Sequence, residues 1–248
     1  MSPPQKPARN EAATPSRAPA KRLRPRDAAT LIVVDWSAPA PRMLMGRRRP
    51  DQVFLPDTYV FPGGRVEPGD RTLSRHVRLP STESATVQAS LRGTPSDARA
   101  AALALAAVRE TFEETGVVIG TAHTKEPARL AGGWDTFHET GFGPCLDHLT
   151  YFARAITPPA RPRRFDTRFF LVDAARIAHR AETNDGELLD IGWYTVSDAK
   201  ALKLPSITRV VLEDITRFMA ATEAERRAEA VPQYAHRNGV FHRTLQPR

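Results

Sequence analysis

The run Arg109-Glu110-Thr111-Phe112-Glu113-Glu114-Thr115-Gly116-Val117 organises the chain. As a helix it puts Glu110, Glu113 and Glu114 at i, i+3 and i+4, so three carboxylates share one face within a turn. Leu105, Val108 and Phe112 fall on the opposite face. Neighbouring like charges repel each other and need a cation among them, for which a hard divalent metal is the natural candidate.

Upstream, Ser96 follows Pro95 as an N-cap, and the alanine-rich residues after it have high helix propensity. The expected helix is Asp97 to Thr115, with Gly116 as its C′ residue. Ala106 and Ala107 fall on the carboxylate side and should leave it open to a ligand. Before this helix, residues 71–95 show no clear period and carry turn signals at Leu79-Pro80 and Gly93-Thr94-Pro95, so they read as an insertion with one short helix at most. Asp57 to Phe61 reads as a strand running into a loop at Pro62-Gly63-Gly64-Arg65 and Gly69, where glycines let the backbone approach a ligand.

Ordered structure should begin near Ala28 with the buried strand Leu31-Ile32-Val33-Val34, returning through Arg42 to Met45. Arg47, Arg48 and Arg49 then read as a solvated edge. Downstream, Val117 to Ile119, Thr150 to Ile156, Phe165 to Val172 and Glu187 to Tyr194 read as strands. Loops around one short helix fill 121–148. Ser197 caps Asp198 to Leu202, and Ile207 to Ala220 is a helix with Val210, Val211, Ile215 and Phe218 on its core face.

The chain has 248 residues, 41% of them hydrophobic, enough for one sizeable core. One main domain is expected over 28–220, with a disordered Pro/Ala-rich basic tail at 1–27 and a partly ordered tail at 221–248. The formal net charge is +8, but residues 1–27 carry seven basic and two acidic side chains, so +5 of it sits in that tail. Nucleic acid is therefore not the expected partner. Without an apolar run of about 20 residues or a secretory leader, the expectation is a cytoplasmic protein with no membrane partner. Its one cysteine, Cys145, can form neither an internal disulfide nor a zinc site by itself.

Gly64, Asp70, Arg109-Glu110, Glu113-Glu114 and Gly116 resemble the signature of the Nudix hydrolase superfamily, G-x5-E-x7-R-E-U-x-E-E-x-G-U, where U is apolar. Gly64 and Asp70 keep the five-residue spacing, but Asp replaces the first Glu, Thr111 occupies the first U, and 38 residues separate Asp70 from Arg109 where the pattern has seven. An interrupted box resembles the branch containing the peroxisomal coenzyme A diphosphatases. So do Thr157-Pro158 and Arg164-Phe165-Asp166-Thr167-Arg168-Phe169-Phe170. The terminal Leu245-Gln246-Pro247-Arg248 does not resemble a peroxisomal address.

The resemblance implies an α/β fold, an α/β/α sandwich with a mixed sheet and a loop-helix-loop motif. It implies hydrolysis of a nucleoside diphosphate derivative with Mg2+ or Mn2+, held by Glu110, Glu113, Glu114 and the Gly63 carbonyl. Arg109 would orient Glu113, while Glu187, ahead of Glu182, is the candidate general base. Gly64, Arg65, Phe61, Arg163 and Arg164 would meet the substrate, with Arg163 and Arg164 candidates for the 3′-phosphate of coenzyme A. Coenzyme A or acyl-coenzyme A is the leading expected substrate. ADP-ribose, a dinucleotide or another nucleoside diphosphate derivative is the alternative, and a non-catalytic ligand-sensing or RNA-associated module is the alternative class. A homodimer is compatible with all of these.

Overall fold

The computed structural model describes residues 23–123, 133–159, 161–182 and 186–248, apart from the side chain of residue 227. Two strands open the described chain, β1 (Arg26–Asp35) and β2 (Arg42–Arg48), followed by the short β3 (Tyr59–Val60) and β4 (Gly63–Arg65). Then come α1 (Pro68–Leu73), α2 (Ser81–Ala89), α3 (Asp97–Thr115), β5 (Val117–Ala122), α4 (Trp134–Glu139) and β6 (Phe142–Pro144). The second half holds β7 (Thr150–Ile156), β8 (Phe165–Asp173), β9 (Ile177–Arg180), β10 (Leu188–Thr195), α5 (Val196–Ala201), α6 (Ser206–Ala220), α7 (Glu223–Ala228), β11 (Val231–Arg237) and β12 (Val240–Gln246). No helix among the described residues is long and apolar enough to cross a membrane.

The main sheet runs β10-β2-β1-β8-β7-β11-β12, with β3 beside β2 and β4 beside β1. It is mixed, because β1 lies parallel to β8 and β11 parallel to β7, whereas β2, β4 and β12 pair antiparallel. A smaller sheet, β6-β5-β9, stands apart from it. Alternation along β1 sends Ala29, Leu31 and Val33 into the core shared with α2, α3 and α4, and Ile32 and Val34 into the core under α5 and α6. Helical layers thus cover both faces of a mixed sheet, and each fully buried Leu, Ile or Val adds roughly 1.5–3 kcal/mol.

Helix α3 has the expected bounds: Ser96 Oγ accepts from Arg99 N at its start, and Gly116 closes it in the left-handed conformation. Its surroundings differ from expectation. Ala106 and Ala107 are fully buried, and every residue from Ala100 to Val108 is buried with them. Helix α2 is the one short helix expected in the 71–95 insertion, and it and α1, which begins ahead of that segment, both pack on α3. Thr111 fills an apolar position because its hydroxyl donates to Ala107 O at 2.7 Å inside the helix, leaving no orphaned polar group.

Three boundaries also need correction. Arg26 and Asp27 belong to β1, paired with Phe165 and Asp166, and the rest of the expected basic tail, residues 1–22, lies outside the described residues. Thr195, not Ser197, caps α5, through reciprocal bonds with Asp198. The 221–248 segment is built into the main sheet as the β11–β12 hairpin. Asn238 and Gly239, both at positive φ, form its turn. Val231 and Tyr234 are buried, and the Arg248 guanidinium pairs with Glu83 of α2 at 3.0 Å, so the hairpin also clamps the inserted helix.

Candidate active site

Arg109 is the hub of the site. It is 2% exposed and spends its donors on four partners. Nε and Nη2 clasp both oxygens of Asp70 at 3.0 and 3.2 Å, Nη1 donates to Glu113 at 2.7 Å, and Nη2 also reaches Glu110 at 3.0 Å and the Arg65 carbonyl at 3.1 Å. Burial works against its charge, but Asp70, Glu110 and Glu113 outweigh burial and raise its pKa.

Asp70 is fully buried and accepts two further bonds, from Trp134 Nε1 at 3.0 Å and Glu67 N at 2.8 Å. The helix α3, the β4–α1 connection and α4 thus meet at one carboxylate. Across 38 intervening residues, the Asp70 and Arg109 halves of the motif are a bidentate pair.

The carboxylates sit around this hub. Glu114, 1% exposed, accepts the Gly63 N–H at 2.8 Å, fixing β4 against the helix. Gly64 faces Glu110 so closely that a Cβ there would lie 2.3 Å from Oε1. Gly133, at φ +80°, leaves still less room, since its Cβ would stand 1.9 Å from Glu113 Oε1. Glycine at 64 and 133 is therefore what allows backbone to abut the carboxylates. Gly64→Ala should push Glu110 aside and cut turnover by about tenfold or more while hardly moving the melting temperature, because a strand tolerates alanine. Turnover equal to wild type would show that Glu110 needs no fixed position.

Glu110 carries the site's electrostatic signature. Burial raises its pKa, Arg109 opposes this, and the nearby charges of Glu113 and Glu187 push it up again, to about 7. Its ordinary value is 4.5, so the fold favours the protonated form and binds the extra proton between about pH 4.5 and 7. The metal-free protein should therefore lose up to about 3 kcal/mol of stability as pH rises through that window and level off above it. Glu110→Gln should flatten this slope in chelator-treated protein melted from pH 4 to 8. An unchanged slope would assign it to other groups.

A divalent cation fits the chemistry of this donor set: hard oxygen ligands carrying more negative charge than Arg109 neutralises. The cage is not preassembled, for among the described residues no three His, Cys, Asp or Glu side chains are gathered to hold a metal as they stand. Glu110 and Glu113 each give one oxygen to Arg109.

The remaining expected residues divide. Glu187, just before β10, accepts from Gln52 Nε2 at 3.3 Å, and its charge is the smallest of the contributions raising the Glu110 pKa. Glu182 is exposed beyond β9. Phe61 corrects an expectation: it is 4% exposed and packed among Ile32, Val34 and Met43, so its ring is core rather than a stacking platform. Tyr59, two residues earlier, sits edge-on to Tyr194 with ring centroids 5.6 Å apart. Arg163 is exposed. Arg164 is spent on the Thr157 and Leu23 carbonyls at 3.1 and 2.6 Å. Gly133 and Trp134 were not expected to contribute, and Asp70 was expected only as a member of the motif, without a role. For Asp70 the sequence did hold a signal, its five-residue spacing from Gly64.

Comparison with known proteins bears on this geometry. No family model matches the chain, in keeping with the long interval inside its motif. Over 142 residues the chain is 30% identical to a Caenorhabditis elegans protein provisionally named nudix hydrolase 7; the match covers 53% of this chain but only 39% of that relative's length. A solved NUDIX hydrolase from Alicyclobacillus acidocaldarius is similar at a TM-score of 0.58 and 27% identity, over 77% of this chain and 90% of that one. The chain has the Nudix fold. Both similarities support a place in the Nudix hydrolase superfamily, a group that generally uses divalent metals. The motif that resembles the Nudix box is divided here, with Gly63 to Asp70 on one side of α2, Arg109 to Gly116 on the other, and the Asp70–Arg109 pair joining them.

Proposed function

We propose that this protein is a Mg2+- or Mn2+-dependent pyrophosphohydrolase that cleaves the diphosphate of coenzyme A or acyl-coenzyme A, releasing 3′,5′-ADP and the corresponding phosphopantetheine. The observation that carries the reading is the closed Nudix box, in which Gly63, Gly64, Asp70, Arg109, Glu110, Glu113 and Glu114 form one connected cluster despite their separation in sequence.

Glu110, Glu113 and Glu114, with the Gly63 carbonyl, would hold the metal, which supplies charge neutralisation to the diphosphate oxygens. Arg109 acts as a positioning residue, holding Glu113 and Glu110 from a guanidinium that Asp70 fixes from behind. Glu187 is the proposed general base: it lies close enough to Glu110 to raise its pKa, and as a carboxylate it takes the proton of the attacking water. The coenzyme A assignment rests on the interrupted box and on the Arg164 to Phe170 segment.

A panel of coenzyme A, acetyl-coenzyme A, ADP-ribose and diadenosine polyphosphates, each with Mg2+ and Mn2+, tests the reading. Coenzyme A should be cut with the highest kcat/KM. Cleavage of ADP-ribose with coenzyme A left intact would replace the substrate, and no cleavage of any would reject the enzyme.

A further inference from the structure

A groove of about 570 Å³ opens between the start of β1 and the β4–α1 connection, and Arg26, Asp27, Arg65, Glu67 and Arg71 are among the residues lining it. Its two acids are already engaged. Asp27 faces Arg168 Nη1 at 3.3 Å and Arg99 Nη2 at 3.9 Å, and Glu67 pairs with Arg65 at 3.0 Å. Among the described residues no ion pair involves Arg26 or Arg71, and both are exposed. Asp27 is committed outside the groove and Glu67 to Arg65, so the unpaired charges of Arg26 and Arg71 leave an open cleft that favours an anion. The planar donor fork of arginine matches the oxygens of a phosphate.

The groove adjoins the carboxylate cluster. Arg65 lines it with its side chain, while its carbonyl accepts from Arg109 Nη2, the atom that also holds Glu110. The residue before it, Gly64, lies against the Glu110 carboxylate. Arg164, expected to meet a remote phosphate, is instead committed to backbone carbonyls.

We propose that this groove binds a phosphomonoester of the substrate, remote from the diphosphate that is cleaved. The substrate class is thereby a nucleoside diphosphate derivative carrying a further phosphate on its ribose, held by Arg26, Arg65 and Arg71. The volume exceeds that of a phosphate and admits the attached sugar as well. The assignment rests on the hydrolase reading above and deepens it.

Calorimetric titration of the full chain with 3′,5′-ADP and with 5′-AMP, which differ only in the ribose 3′-phosphate, isolates the groove. Wild type should bind 3′,5′-ADP about tenfold or more tightly, the scale of a charge-assisted hydrogen-bonded contact. The Arg26→Gln/Arg71→Gln double variant should lose most of that preference. Arg71→Gln alone should lose part of it and serves if the double variant does not fold. Equal binding of the two nucleotides by wild type, or a variant that keeps the full preference, overturns the proposal.

Cleavage separates the two readings. Discrimination between the nucleotides without cleavage of any diphosphate would leave the groove standing and the hydrolase rejected. Equal kcat/KM for coenzyme A and 3′-dephospho-coenzyme A would do the reverse.

Discussion

Replacing Glu114 by Gln is expected to lower turnover by at least about 100-fold under saturating metal, and to weaken metal binding measured by calorimetry. Removing a group that only supports a metal ligand already costs about 10–100-fold, so removing a ligand's own charge should cost no less. The amide oxygen can still accept the Gly63 N–H that Glu114 Oε2 receives at 2.8 Å, so β4 stays where it is. The variant should thus separate charge from architecture, with an unaltered circular dichroism spectrum. Wild-type turnover in this variant would remove Glu114 from the proposed metal site and with it the reading of the helix face.

Asp70→Ala should be the most destabilising single change at the site. Asp70 is fully buried and accepts four bonds, two from Arg109 and one each from Trp134 and Glu67. Its removal takes the bidentate acceptor from a guanidinium that is 2% exposed, leaving it Glu110, Glu113 and the Arg65 carbonyl, and leaves the Trp134 indole N–H without its acceptor inside the core. Breaking one side of a buried pair costs about 3–5 kcal/mol, since the surviving charge keeps its desolvation penalty. For a domain of this size that corresponds to a fall in melting temperature of roughly 10 °C. Asp70→Glu, the acid of the usual motif, should recover part of the activity if the extra methylene is accommodated. A melting temperature within about 2 °C of wild type in the alanine variant would show that the hub does not carry the stability assigned to it.

Part of the fold was legible because local rules and the tertiary structure agree. Ser96 and Gly116 are unambiguous helix punctuation, and α3 runs between them as expected. The apolar run at Leu31 to Val34 and the alternating Thr150 to Ile156 are strands for reasons contained in their own composition. The Asn238-Gly239 turn was equally local, flanked by residues alternating in character, yet its charged neighbours masked it and the segment was read as a tail.

In the insertion the one short helix was allowed for, but its position could not be read. Helix α2 has almost no amphipathic character, burying Ser84, Thr86 and Val87 together, so no periodicity announces it. Its polar side chains are satisfied by partners distant from the helix or within it. Ser84 donates to Asp97, Thr86 to the Thr82 carbonyl, and Glu83 receives Tyr151 N and Arg248. Phe61, expected from the resemblance to meet the substrate, is core in space because the β3–β4 connection turns it into the cluster beneath α6.

At the site itself, the sequence alone determined which chemistry was available. The i, i+3, i+4 carboxylates and the glycine pair follow from spacing, and spacing along a helix is geometry. Only the tertiary structure decided what those groups touch. It brought Asp70 to Arg109 across 38 residues, placed Glu187 where its charge raises the pKa of Glu110, and directed Arg164 to backbone carbonyls while leaving Arg26 and Arg71 around an open groove. Helical periodicity reaches only a few residues along the chain, whereas a buried charge is satisfied by whatever partner the packing of the whole sheet delivers to it.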